Sequence, residues 1–197
     1  MSLRWPRLLI SIVALLGLLS ASSTSQATEM KLSNLIVSLN DADVTVQAVL
    51  VGAIPPNLKE GLEGGIPITV RFAVELLQFR RLWMNRLVTS KVIERQMTYD
   101  LLTKEFRVTP MKDERREPYT TKEPREAQRV VSEFRLKLLP VSELNPRDLY
   151  FVRVRAEVAA GGGLSFFSRL FPFLGTAGEE TPWVDSPLLT ITRSQSC

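Results

Sequence analysis

The sequence predicts a mainly β fold: an antiparallel β-sandwich-like domain with one amphipathic helix, preceded by an N-terminal signal peptide. Three observations carry that expectation. Several segments alternate apolar and polar residues with period two, so one face of each is apolar. Clusters of Gly, Pro, Asn and Asp separate those segments, as turns require. Only one segment combines helical spacing with adequate length, whereas a parallel doubly wound sheet needs a helix between most successive strands.

The chain opens on Arg4 and Arg7, continues through an apolar stretch from Leu8 to Leu19, and then runs through small residues to Ser25-Gln26-Ala27. Charged, apolar and small-x-small segments in that order form a secretory signal. The apolar stretch is shorter than the ~20 residues a spanning helix needs, which favours cleavage over an uncleaved membrane anchor. The expected organisation is a signal peptide over 1–27 and a single β-rich domain over 28–197, in the periplasm or secreted.

Leu35, Val37 and Leu39 share one face and Val44, Val46, Ala48 and Leu50 another, with Asn40-Asp41-Ala42-Asp43 turning the hairpin between them. Pro55-Pro56-Asn57 breaks the second strand, and Leu58 to Glu63 reads as a short helical turn stopped by Gly64-Gly65. Ile66, Ile68, Val70, Phe72, Val74 and Leu76 then form the core face of a long strand. A helix would scatter those side chains round its circumference. Leu87 to Tyr99 alternates less regularly, with Ile93, Met97 and Tyr99 inward, and Leu102 to Val108 continues after Tyr99-Asp100.

The helix is placed by Ala127, Val130, Val131 and Phe134, one stripe at i, i+3, i+4 and i+7. Thr120 and Glu123 suit a capping box, and Pro124 an early helical position. Leu136 to Leu139 reads as a short strand and Asn145-Pro146-Arg147-Asp148 as a turn. Tyr150, Val152, Val154, Ala156 and Val158 are the core face of another long strand, ended by Gly161-Gly162-Gly163, and a last strand is expected over Leu188 to Thr192.

The chain has no histidine and one cysteine, Cys197. That removes histidine-based acid–base catalysis, histidine-ligated metal sites and any internal disulfide. No phosphate-binding Gly-x-x-x-x-Gly-Lys loop is present, Glu179-Glu180 reads as a solvated pair, and Asn40, Asp41 and Asp43 lack the other ligands of a calcium loop. No cofactor is expected. The formal net charge is +4, and removal of residues 1–27 leaves 23 basic against 21 acidic residues, a net charge of +2. The most charged region, Lys104 to Arg129, mixes both signs, so nucleic acid is not an expected partner.

Gly65-Ile66-Pro67 opens the long strand, Trp83 follows its end, Tyr99-Asp100 joins two strand-like segments, and Leu149-Tyr150-Phe151-Val152-Arg153-Val154 precedes Thr181-Pro182-Trp183. In these features the chain resembles the exported bacterial family known as domain of unknown function 4390, over nearly the whole mature chain. Gly161 to Glu180 departs from it. The resemblance implies an exported bacterial protein. It carries over no active site, ligand or cofactor, and, through a neighbouring gene in some relatives, it implies a membrane sensor kinase as an envelope partner.

Two surface candidates remain. In the first, Phe79 to Arg86, Arg80, Arg81 and Arg86 surround Trp83. Tryptophan and arginine dominate binding hot spots; the alternative is that Trp83 closes one end of the core while the arginines stay in water. In the second, Leu164 to Leu174, Phe166, Phe167, Phe171 and Phe173 form either a lid over the core or an exposed apolar patch. The expected function is a non-enzymatic protein-interaction module of the bacterial envelope, touching an envelope protein and in transient contact with the membrane. A carrier that holds a small apolar ligand or lipid under residues 164–174 is the alternative.

Overall fold

The computed structural model describes residues 29–40, 42–112, 114, 116–161 and 178–191. The signal segment, residues 164–174 and Cys197 lie outside the described residues. β1 (Lys31–Leu39) and β2 (Asp43–Val51) form the first hairpin, in antiparallel register from Lys31↔Val51 to Leu39↔Val44. Its turn is made by Asn40, whose Oδ1 accepts the backbone N–H groups of Ala42 and Asp43. After α1 (Pro56–Glu63) come β3 (Ile68–Gln78), β4 (Arg86–Asp100), β5 (Glu105–Lys112) and β6 (Tyr119–Thr121). Then follow α2 (Pro124–Ser132), β7 (Glu133–Pro140), a single 3-10 turn at Val141–Glu143, and β8 (Leu149–Ala160). Three two-residue strands, β9 (Glu179–Glu180), β10 (Val184–Asp185) and β11 (Leu189–Thr190), close the described chain.

The strands form two antiparallel sheets. The smaller has the order β1-β2-β7; the larger runs β10-β8-β3-β4-β5-β6, with β9 and β11 also along β8. β9, β10 and β11 form an interrupted edge beside β8, broken near Pro182 and Pro187, which cannot donate to a ladder. Ile68, Val70, Phe72, Val74 and Leu76 are all fully buried, and so are Val152, Val154, Ala156 and Val158 beside them on β8. These side chains and Val44, Val46, Ala48, Phe134 and Leu138 of the smaller sheet belong to one apolar cluster. Phe72 and Phe134 meet across it, ring centroids 4.7 Å apart and tilted at 47°, a geometry that aromatic quadrupoles favour.

Four local expectations are corrected. The chain has two helices among the described residues rather than one, because residues 56–63 complete eight helical residues with a proline in the first turn. Phe134 is not helical: α2 ends at Ser132, and Phe134 enters the same core from β7. The helix start uses the next threonine along: Thr120 and Thr121 both lie in β6, and it is Thr121 Oγ1 that accepts the Glu123 N–H (3.1 Å) and donates to Glu126 Oε2 (3.0 Å). Ile66 precedes the core strand and is half exposed. No helix among the described residues is long and apolar enough to cross a membrane.

Candidate interaction surface

β3 and β4 pair from Ile68↔Met97 to Gln78↔Arg86, and the chain turns between them through residues 79–85. Near this end the register slips: Leu76 faces Thr89 and Leu77 faces Leu87, which leaves Val88 as the extra residue of a bulge. Leu87 and Val88 are consecutive in this bulge and both exposed, so apolar surface continues from the turn onto the start of β4. The base of the turn is braced. Phe79 N–H donates to the Leu149 carbonyl at 2.8 Å, and Arg80 N–H to Asn85 Oδ1 at 3.2 Å.

At the apex Leu82, Trp83 and Met84 are 87%, 82% and 90% exposed. Trp83 therefore does not close the core. Arg80, Arg81 and Arg86 are exposed beside it, so the structure brings the four residues of the first candidate together. Phe166, Phe167, Phe171 and Phe173, with the carrier reading built on their segment, lie outside the described residues. No Asp or Glu occurs between Glu75 and Glu94, while Arg80, Arg81, Arg86 and Lys91 do, a surplus as large as the net charge of the entire chain. Among the described residues, none of the three arginines forms an ion pair.

Elsewhere on the same sheet several arginines are matched by carboxylates. Arg71 bonds Glu94 through Nε and Nη2 (3.1 and 2.9 Å) and lies 3.7 Å from Glu157. Arg153 holds Glu75 at 2.7 and 2.6 Å, and Arg155 holds Glu180 at 3.2 Å. Arg153 and Arg155 point the same way from β8, and Trp183 on the edge stacks with both, its ring centroid 4.6 and 5.0 Å from their guanidinium carbons. Glu180 is thus a structural partner of Arg155, in keeping with a solvated pair.

The profile of a family described as Domain of unknown function (DUF4390) matches residues 27–161. The chain belongs to that family. The matched stretch contains β1 to β8 and the hairpin tip, so the candidate surface is part of the DUF4390 domain. It ends at residue 161, so Thr181-Pro182-Trp183 fall outside it and the resemblance covers less of the chain than the sequence reading held. No curated protein and no solved structure matches the chain.

Two further features of this DUF4390 protein escaped the sequence reading. Arg95 sits between Ile93 and Met97 on the core face of β4 and is only 2% exposed. Its Nε and Nη2 grip both carboxylate oxygens of Glu114 (2.6 and 2.5 Å), and its Nη1 donates to the carbonyls of Val130 (2.5 Å) and Glu133. The Val130 carbonyl lies in the last turn of α2 and Glu133 is the residue that caps it, where acceptors lack intrahelical partners and the helix dipole is negative. Arg95 therefore ends the helix, turns the chain into β7 and ties Glu114 to β4. The signal was available: a charge spaced two residues from Ile93 and from Met97 must point inward.

The second feature is a groove of about 760 Å³ whose lining includes Ile36, Gln47, Arg116, Tyr119, Arg129 and Arg135. Beside it a hydrogen bond to Glu126 raises the Tyr119 pKa. The same bond, followed by that from Thr121, holds the Glu126 carboxyl below its ordinary range. Among the described residues no three His, Cys, Asp or Glu side chains converge as a metal site would require.

Proposed function

We propose that this DUF4390 protein is an exported, non-enzymatic contact module of the bacterial envelope whose working surface is the β3–β4 tip. The observation that carries the reading is Leu82-Trp83-Met84 standing almost wholly in solvent on a braced turn, beside three arginines that form no ion pair among the described residues. Contiguous exposed apolar surface marks contact sites, and desolvating a tryptophan beside a guanidinium is a strong source of binding energy. Export is supported by the charged, apolar and small-residue order of residues 1–27, and by a family match that starts at residue 27, where that signal ends. The sandwich-like arrangement of two sheets over one core serves as a stiff mount for the tip.

Co-sedimentation of the full chain with a protein-containing envelope fraction tests this reading. Trp83→Ala combined with Leu82→Ser and Met84→Ser should abolish retention while leaving circular dichroism unchanged. Equal retention of wild type and variant would remove the tip from the function. Recovery from the periplasm of a product whose first residue is Thr28 is the matching expectation for export.

A further inference from the structure

We infer that the tip is a shallow bilayer wedge for an anionic membrane surface, an inference that rests on the reading of the tip as the working surface. Apolar side chains crowd the hairpin end. Leu82, Trp83 and Met84 form the apex, Leu87 and Val88 of the bulge are both exposed, and Phe79 and Leu149 add exposed area across the base. Hydrocarbon accepts such a tip without a matching pocket, and the arginines beside it complement an anionic surface.

The charges fall where a bilayer needs them. Arg80 and Arg81 precede the apex and Arg86 follows it, so their long apolar stems can lie beside the inserted residues while the guanidiniums reach back to phosphate. With no acid between Glu75 and Glu94, the hairpin itself presents no carboxylate to repel an anionic headgroup. Tryptophan favours the interfacial depth of ~5–10 Å that three apical residues can enter. At that depth water still reaches the turn, so its free backbone groups need no internal partners.

The test uses protein-free vesicles and the exported product, which starts at Thr28, carrying Trp183→Phe, which leaves Trp83 as its only tryptophan. Vesicles of phosphatidylethanolamine with phosphatidylglycerol should shift its emission to the blue and sediment the protein; phosphatidylcholine alone should do so far less. In the otherwise unaltered chain, Arg80→Gln/Arg81→Gln/Arg86→Gln should lower affinity for the anionic vesicles on the order of a hundredfold, and Trp83→Ser on the order of tenfold. High salt should weaken the wild type much more than the triple variant. Equal vesicle binding by wild type and variants, or no emission shift, overturns the wedge. If the tip is still required for retention on the protein-containing envelope fraction, the contact module stands and its partner is a protein. If that requirement is missing too, both readings fail.

Discussion

β4 holds two arginines in opposite circumstances. Arg95 is buried among Ile93, Met97 and the end of α2 and uses four of its five N–H donors, two on Glu114 and two on backbone carbonyls. Arg86, at the start of the same strand, is exposed and has no ion pair among the described residues. The difference separates two uses of one side chain. Arg95 fixes how secondary elements meet, and its removal strands a carboxylate and two carbonyls. The Arg86 guanidinium ties no other element down among the described residues, so its replacement is expected to leave folding nearly unchanged.

Replacement of Arg95 should give the largest effect. Arg95→Met should cost about 3–5 kcal/mol in urea denaturation, because a buried pair broken on one side leaves the other charge uncompensated. Arg95→Lys should not rescue it, since one ammonium cannot grip both Glu114 oxygens and still reach two carbonyls. Arg95→Met combined with Glu114→Gln should recover part of the loss. Full stability in Arg95→Met would erase the contrast. Arg153, only partly exposed between Glu75 and Trp183, should lie between the extremes. Arg153→Ala should cost about 1 kcal/mol, shared between the ion pair and the ring, and a double-mutant cycle with Glu75→Ala measures the first share.

The contrast also shows which parts of the structure could be read in the sequence. Period two places Ile68 to Leu76 and Tyr150 to Val158 because the pleat alone decides which side chains go inward. The same rule located Ile93 and Met97 but passed over Arg95 between them, since a guanidinium reads as a surface group until its acceptors are known. Those acceptors come from Glu114, Val130 and Glu133, well separated from Arg95 in the chain. Phe134 misled for a related reason: a core position after a helix fits i+7 whether or not the helix continues, and the Arg95 bonds that end it are not local. Burial tendency favours a core position for Trp83, and that tendency is blind to where the turn falls. The register of β3 with β4, and the bulge that ends it, place it at the apex.

A partner can also be weakened by protonation, which gives a smaller effect. Hydrogen bonds from Tyr119 and then Thr121 hold the Glu126 carboxyl below the ordinary glutamate value of 4.5. A folded-state pKa below the unfolded one means stabilisation that is complete above that ordinary value and lost as pH falls through the folded one. The difference in urea midpoint between wild type and Glu126→Gln should therefore stay constant at neutral pH and shrink only in the acid range below 4.5. A difference that disappears nearer neutrality would assign the tie to another group.

The smallest effect on folding belongs to the tip, and its smallness is what the contrast requires. Arg80→Gln/Arg81→Gln/Arg86→Gln removes three cations that have no ion-pair partner among the described residues, so the unfolding free energy from urea denaturation should change by no more than about 0.5 kcal/mol. If anything the chain should gain slightly, because Arg80, Arg81 and Arg86 lie close together on one turn and repel one another. That repulsion is screened by salt, so the gain should be visible at low ionic strength and vanish at high. A marked loss of stability would mean that the tip arginines, like Arg95, hold the fold, and that a surface spared from folding must be sought elsewhere.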